Sequence, residues 1–144
     1  MNWSEGLTAM PAQPPSEGGK PPSNLDQEFG AVSELRSPRV IAVANGQYLK
    51  VAKVKGEFVW HTHADEDELF LVRKGVLIIR YRDRADVTLR EGDIHVVPCG
   101  AEHMTVAPEE CWVVLFEPAV TKHTGDTVTE MSKSIEAQTA HLRE

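Results

Sequence analysis

From Arg39 to Phe116 the chain is a succession of short β-rich runs divided by turn signals. The runs are Val40–Val43, Tyr48–Val54, Phe58–His61, Leu69–Val72, Val76–Ile79, Val87–Leu89, Ile94–Val97 and Cys111–Phe116. Between them stand Asn45-Gly46, Lys55-Gly56, Lys74-Gly75, Asp83-Arg84, Glu91-Gly92-Asp93, Pro98-Cys99-Gly100 and Ala107-Pro108. Many short strands at this spacing predict an antiparallel β-sandwich or barrel. Several runs are apolar on both faces, which fits strands covered from two sides.

The flanks read differently. Residues 1–24 are rich in Pro, Gly, Ser and Gln, cannot bury a core, and are predicted to form a flexible, disordered tail. Ser23-Asn24 then offers an N-cap, and Leu25, Phe29, Val32 and Leu35 recur at helical spacing, so a short helix is predicted. Ser37-Pro38 should end it, because the residue before proline avoids the helical region. The predicted domain spans residues 25–118. After Pro118 the chain turns polar, and residues 119–144 read as a tail, with a short helix from Glu130 or no fixed structure.

At 144 residues the chain is long enough for one domain with a real core. The formal net charge is −7 and no basic stripe is present, which argues against nucleic acid and anionic membranes as partners. There is no apolar stretch long enough to span a bilayer and no secretory signal pattern. Cys99 and Cys111 are too few for a disulfide scaffold, and the expectation is two reduced thiols in a cytoplasmic protein.

The chemistry concentrates in Trp60-His61-Thr62-His63, with Glu68 five residues on and His103 far down the chain. Within a strand, His61 and His63 would point the same way, their Cα atoms roughly 7 Å apart. Glu68 opens the next run, and its return would bring it beside the pair. Three imidazoles and a carboxylate suit one divalent transition metal ion: Fe, Mn, Co, Ni or Zn, with open positions for water or substrate. A closed structural zinc site would use cysteines that this chain lacks.

These residues resemble the two motifs of the cupin superfamily, small metal-binding jelly-roll β-barrels. The first motif, Gly-(x)5-His-x-His-(x)3,4-Glu-(x)6-Gly, is matched by Gly56, His61, His63, Glu68 and Gly75, with four residues rather than five between Gly56 and His61. The second, Gly-(x)5-Pro-x-Gly-(x)2-His-(x)3-Asn, is matched by Gly92, Pro98, Gly100 and His103, and Ala107 replaces the final Asn. The resemblance covers about residues 37–118. It implies a jelly-roll cupin barrel, with His61, His63, Glu68 and His103 as metal ligands and the motif glycines in turns of positive φ. The chain also resembles the small stand-alone cupins often labelled mannose-6-phosphate-isomerase-like, a label that does not establish isomerase activity.

Other residues are assigned by strand parity. Phe70 and Val72 should line the cavity with Glu68, and Thr105 should sit near His103. Trp60 should face away, and His95 should lie at the surface or an interface. Asp65, Glu66 and Asp67 read as a solvated acidic turn, and Cys99 as a free thiol near the rim. Tyr48, Lys53 and Arg80 are candidates for an anionic ligand. No further histidine or carboxylate presents itself as a base. The functional expectation is a metal-binding protein that binds or acts on a small carboxylate or sugar-type ligand. The alternatives are a non-catalytic sensor, an iron-dependent dioxygenase, or a barrel that the metal only stabilises. If an enzyme, it would be a metal-dependent isomerase, lyase or dioxygenase. Exposed sheet edges predict a homodimer, with Arg39–Val43, Leu69, Leu71 and Trp112 at the interface.

Overall fold

The computed structural model describes residues 21–119 and 134–143. The described residues form seven strands: β1 (Arg39–Ala44), β2 (Gln47–Glu57), β3 (Glu68–Lys74), β4 (Leu77–Tyr81), β5 (Val87–Leu89), β6 (Ile94–Val97) and β7 (His103–Pro118). All pairings are antiparallel. This is the antiparallel class expected from the spacing of the runs, and it is consistent with the jelly roll that the motif resemblance implies.

The long strand β7 organises the sheet. One of its edges pairs with β2, from Val106 to Pro118. Its other edge pairs first with β4, over His103–Val106, and then with β3, over Trp112–Phe116. Side-chain alternation sorts its apolar run into two layers. Cys111, Val113 and Leu115 point into an interior shared with Ala52, Phe70, Val72, Leu77, Ile79 and Leu89. Trp112 and Val114 point outward.

The outer layer is covered by α1 (Leu25–Gly30), where Phe29 stacks on Trp112 with ring centroids 5.0 Å apart. Asn24 caps the helix by accepting from the Gln27 N–H. Leu35 is not part of the helix, contrary to the apolar spacing. Helix geometry stops at Gly30, a poor helix former, and Leu35 instead bridges in parallel to Lys53 and is 43% exposed. Trp112 and Leu71, expected at an interface between copies, are packed against this helix of the same chain.

A second helix, α2 (Ile135–Thr139), continues into a 3₁₀ turn over Ala140–Arg143. Ile135 and Leu142 pack against Val40, Val43 and Tyr48. Residues 1–20 of the predicted flexible tail, and Glu130, lie outside the described residues. No helix among the described residues is long and apolar enough to cross a membrane.

Candidate metal centre

His61, His63, Glu68 and His103 are buried together, and one donor atom from each lies within 4.8 Å of the others. Three elements deliver them. Glu68 is the first residue of β3, and His103 the first of β7. His61 and His63 do not sit in a regular strand, as their alternation had suggested. The β2–β7 register shifts between Val54 and Gly56, β2 ends at Glu57, and His61 forms a single isolated bridge to His103. The bulge and Gly56, at φ 78°, shift the register ahead of the histidines, and the ladder resumes only at Gly56 and Glu57 before β2 ends.

Backbone hydrogen bonds fix this irregular stretch. The His61 N–H donates to the His103 carbonyl (2.9 Å), and the His103 N–H to that of His61 (3.0 Å). Gly100 N–H donates to the His63 carbonyl (2.8 Å), and Cys99 N–H to Asp67 Oδ1 (2.8 Å). The Pro98-Cys99-Gly100 turn is thus clipped to the loop carrying His63. Asp67 serves as that clip, which gives one residue of the acidic turn a structural use.

The rings are oriented as well as gathered. His61 Nδ1 lies 2.9 Å from the Val59 carbonyl, and His103 Nδ1 lies 2.9 Å from that of Ala101. A carbonyl only accepts, so Nδ1 carries the proton in both rings and Nε2 keeps its lone pair for a ligand. The Nε2 atoms of His63 and His103 are buried without a hydrogen-bond partner. Orphaned buried polar atoms are costly, roughly 1–3 kcal/mol each, so their convergence fits a cation that would satisfy them. His63 Nε2 is 3.3 Å from Glu68 Oε2, and His103 Nε2 is 3.9 Å from Glu68 Oε1.

Burial and neighbouring charges shift three of the four donors, and not all in the same sense. Burial, aided by His103, pushes the His61 imidazole down to about 4, so it is neutral at neutral pH. Burial alone would raise the Glu68 carboxyl, but His103, His63 and Glu117 around it hold it well below the usual range. His63 is raised, because the neighbouring Glu68 outweighs its burial.

Two groups near the site escaped the sequence reading. Glu117, near the end of β7, is buried and pushed well above the usual carboxylate range by burial and by Glu68. Its Oε1 lies 2.6 Å from Lys50 Nζ, which in turn donates to Gln138 Oε1 (2.5 Å). The second carboxylate missed in the sequence is therefore Glu117, 49 residues after Glu68 and placed behind it by the pairing of β2, β3 and β7. The other group is Tyr81, whose hydroxyl lies 2.7 Å from His95 Nε2 and whose ring centroid is 6.3 Å from that of His103. His95 therefore reaches inward to Tyr81 rather than being a simple surface residue.

A cavity of about 50 Å³ adjoins His61 and Glu68. Phe70 and Thr105 line it as parity predicted, whereas Val72 belongs to the packed interior. Tyr48, Lys53 and Arg80 do not line it. Lys53 lies over the outward Trp112 ring, and Arg80 is 3.7 Å from Asp86. Trp60 carries the Arg82 guanidinium over its face at 3.7 Å. A larger, more open groove of about 330 Å³ runs between residues 31–39 and 137–141, away from the four donors.

Cys99 is exposed, and Cys111 is buried with its thiol pushed up to about 11 by that burial. Alkylation of the folded protein with iodoacetamide near pH 8 is accordingly expected to label Cys99 alone, because the thiolate is the reactive species. Peptide mapping would check it, and equal labelling of Cys111 would contradict the packing described.

Comparison with known proteins now bears on this geometry. The family model described as Cupin domain matches residues 48–117. The Bacillus subtilis protein YdbB is 35% identical over 82 residues, covering 57% of this chain and 73% of that protein. The crystal structure of a cupin-2 domain containing protein from Shewanella frigidimarina is 46% identical, with a TM-score of 0.64, covering 67% of this chain and 93% of that one. That of protein NMB1881 from Neisseria meningitidis is 30% identical, with a TM-score of 0.63, covering 68% and 99%. From matched family, relatives and barrel together, the chain belongs to the cupin superfamily.

Proposed function

We propose that the protein holds one divalent transition metal ion (Fe, Mn, Co, Ni or Zn) on His61, His63, Glu68 and His103, and presents it to a small carboxylate or sugar-type ligand. The observation that carries this reading is the buried convergence of four donors with two Nε2 atoms left without partners. Four protein ligands leave positions open in the five- or six-coordinate geometries common to several of these ions. Such an ion supplies Lewis acidity toward a carbonyl or carboxylate oxygen. The chain supplies the rest. Phe70, Val113 and Leu115 give the cavity apolar walls, and its volume of about 50 Å³ suits a small guest.

Elemental analysis after loading with each ion tests the metal. One equivalent per chain is expected, and less than about a tenth of an equivalent of every ion would sink the reading. Turnover is tested by offering small keto acids, sugar phosphates and catechols to each loaded form. Product formation without O₂ uptake marks an isomerase or lyase, and O₂ uptake with the iron form marks a dioxygenase. Saturable binding without turnover marks a sensor or binding protein.

We also propose a homodimer. Strand β6 is a sheet edge whose Ile94 is 60% and Val96 46% exposed. Val96 pairs with Leu69, which pairs with Phe116, 42% exposed, so the apolar strip continues across three strands. A second copy covering this strip would remove an edge that is otherwise prone to adventitious pairing. Light scattering at micromolar concentration should give twice the chain mass, and Val96→Lys should shift it to one. Wild type at the monomer mass would overturn this. Two free thiols fit a reducing compartment, and we place the protein in the cytoplasm on that basis.

A further inference from the structure

Among the described residues that line the cavity beside His61 and Glu68, Arg36 is the one arginine or lysine. It lies in the connection between α1 and β1, and its φ is 58°, a left-handed conformation that Asn tolerates and Arg does not favour. Three features hold it there. Its N–H donates to the Lys53 carbonyl (2.8 Å), and its Nη2 donates to the Lys55 carbonyl (2.5 Å). Gly56 leaves room for the guanidinium, since a Cβ at that position would come within 3.0 Å of Nη2. The backbone conformation, the two hydrogen bonds and the absence of a side chain at position 56 together fix the place of Arg36, a residue that lines an apolar cavity. Strain of this kind persists where the surrounding structure over-determines it, and it clusters at ligand-binding positions.

We infer that Arg36 is a specificity-determining residue that binds the carboxylate of a small organic monoanion whose apolar body lies among Val54, Phe58, Phe70 and Leu115. This deepens the reading of the site given above and rests on it for the position of the metal. The donors of Arg36 other than the one engaged by Lys55 can address a carboxylate in the planar geometry that guanidinium matches. Among the described residues that line the cavity Arg36 carries the one guanidinium, which matches one planar carboxylate, and most of the remaining lining is apolar. The size of the cavity selects further. A volume of about 50 Å³ holds about four water-sized groups, which excludes nucleotides and large sugars from full burial.

The test uses the full chain loaded with Co(II), whose visible spectrum reports on the coordination sphere. The probes are acetate, propionate, butyrate and benzoate, each set against its neutral amide. Wild type is expected to bind at least one acid more tightly than its amide. Arg36→Gln should weaken that acid by about 10- to 100-fold while changing the amide less than about twofold, the range for a charge-assisted hydrogen bond. Arg36→Lys should recover part of the loss. Equal weakening of acid and amide would assign Arg36 a purely structural role and overturn the inference. Undiminished acid binding by Arg36→Gln, or no binding of any acid by wild type, would overturn it too. Failure of the metal reading is seen separately, as absence of one equivalent of Co(II). The acid–amide comparison is then made on the metal-free protein by thermal shift, where the same outcomes decide.

Discussion

His103→Ala is expected to reduce bound metal from one equivalent per chain to below about a tenth after dialysis against a weak chelator, and to abolish the rise in Tm that metal produces in wild type. His103 is the ligand candidate with the least solvent exposure, at 0%. Its Nδ1 is committed to the Ala101 carbonyl, and its Nε2 has no partner other than what the site binds. Metal present at 100 times its Kd stabilises the fold by about 2.7 kcal/mol, which corresponds to about 10 °C in a domain of this size. That increment should be absent in the variant. The metal-free variant is a different matter. Losing the imidazole opens a cavity, but it also removes a buried nitrogen that lacked a partner, and the two effects oppose each other. The metal-free Tm is therefore expected to move by no more than about 5 °C. Elemental analysis with calorimetry in the presence and absence of EDTA measures both quantities. Retention of a full equivalent of metal by His103→Ala would remove this residue from the ligand set.

Gly75→Ala is expected to destabilise the protein by about 2–4 kcal/mol, against about 1 kcal/mol for Gly92→Ala. The two glycines have nearly the same backbone conformation, φ 88° and 86°. They differ in what a Cβ would meet. At Gly92 it would meet open space, whereas at Gly75 it would lie 2.8 Å from the Glu110 carbonyl oxygen and 3.1 Å from the Cys111 Cα. Those obstacles are backbone and cannot swing aside. Gly75 links β3 to β4, and both strands use the same edge of β7. The close approach falls where that edge passes from one to the other, between Val106 and Trp112. Displacing it would disturb two ladders together. Urea denaturation of the metal-free forms gives the difference directly. Equal destabilisation by the two substitutions would show that backbone conformation, and not close approach, sets the requirement for glycine at 75.

Much of this molecule could be read along the chain. The strand runs and turn signals specified an antiparallel sandwich or barrel, because side-chain alternation and glycine-rich turns are local properties, and the resemblance to the cupin motifs narrowed this to a jelly roll. The four motif glycines all take positive φ, as their turn positions required. His61, His63, Glu68 and His103 were identifiable from spacing before their convergence was visible. Local pattern misled where the chain leaves regular structure. The helical spacing of Leu35 was accidental, and the His-x-His alternation did not reflect a strand, because β2 ends at Glu57, before the histidines.

What the sequence determined by itself was an antiparallel β class and, through resemblance to the two cupin motifs, which four residues to consider as candidate ligands, since periodicity and motif spacing are both short-range properties of the chain. What only the tertiary structure decided was everything that depends on contact between distant segments. Glu117 comes to stand behind Glu68, and Gln138 reaches Lys50 across 88 residues. Arg36 arrives at the cavity wall from outside both motifs, held by carbonyls of β2. The physical reason is that burial, ring orientation and the neighbours of a charge are set by strand pairing and packing, and no spacing along the chain encodes them.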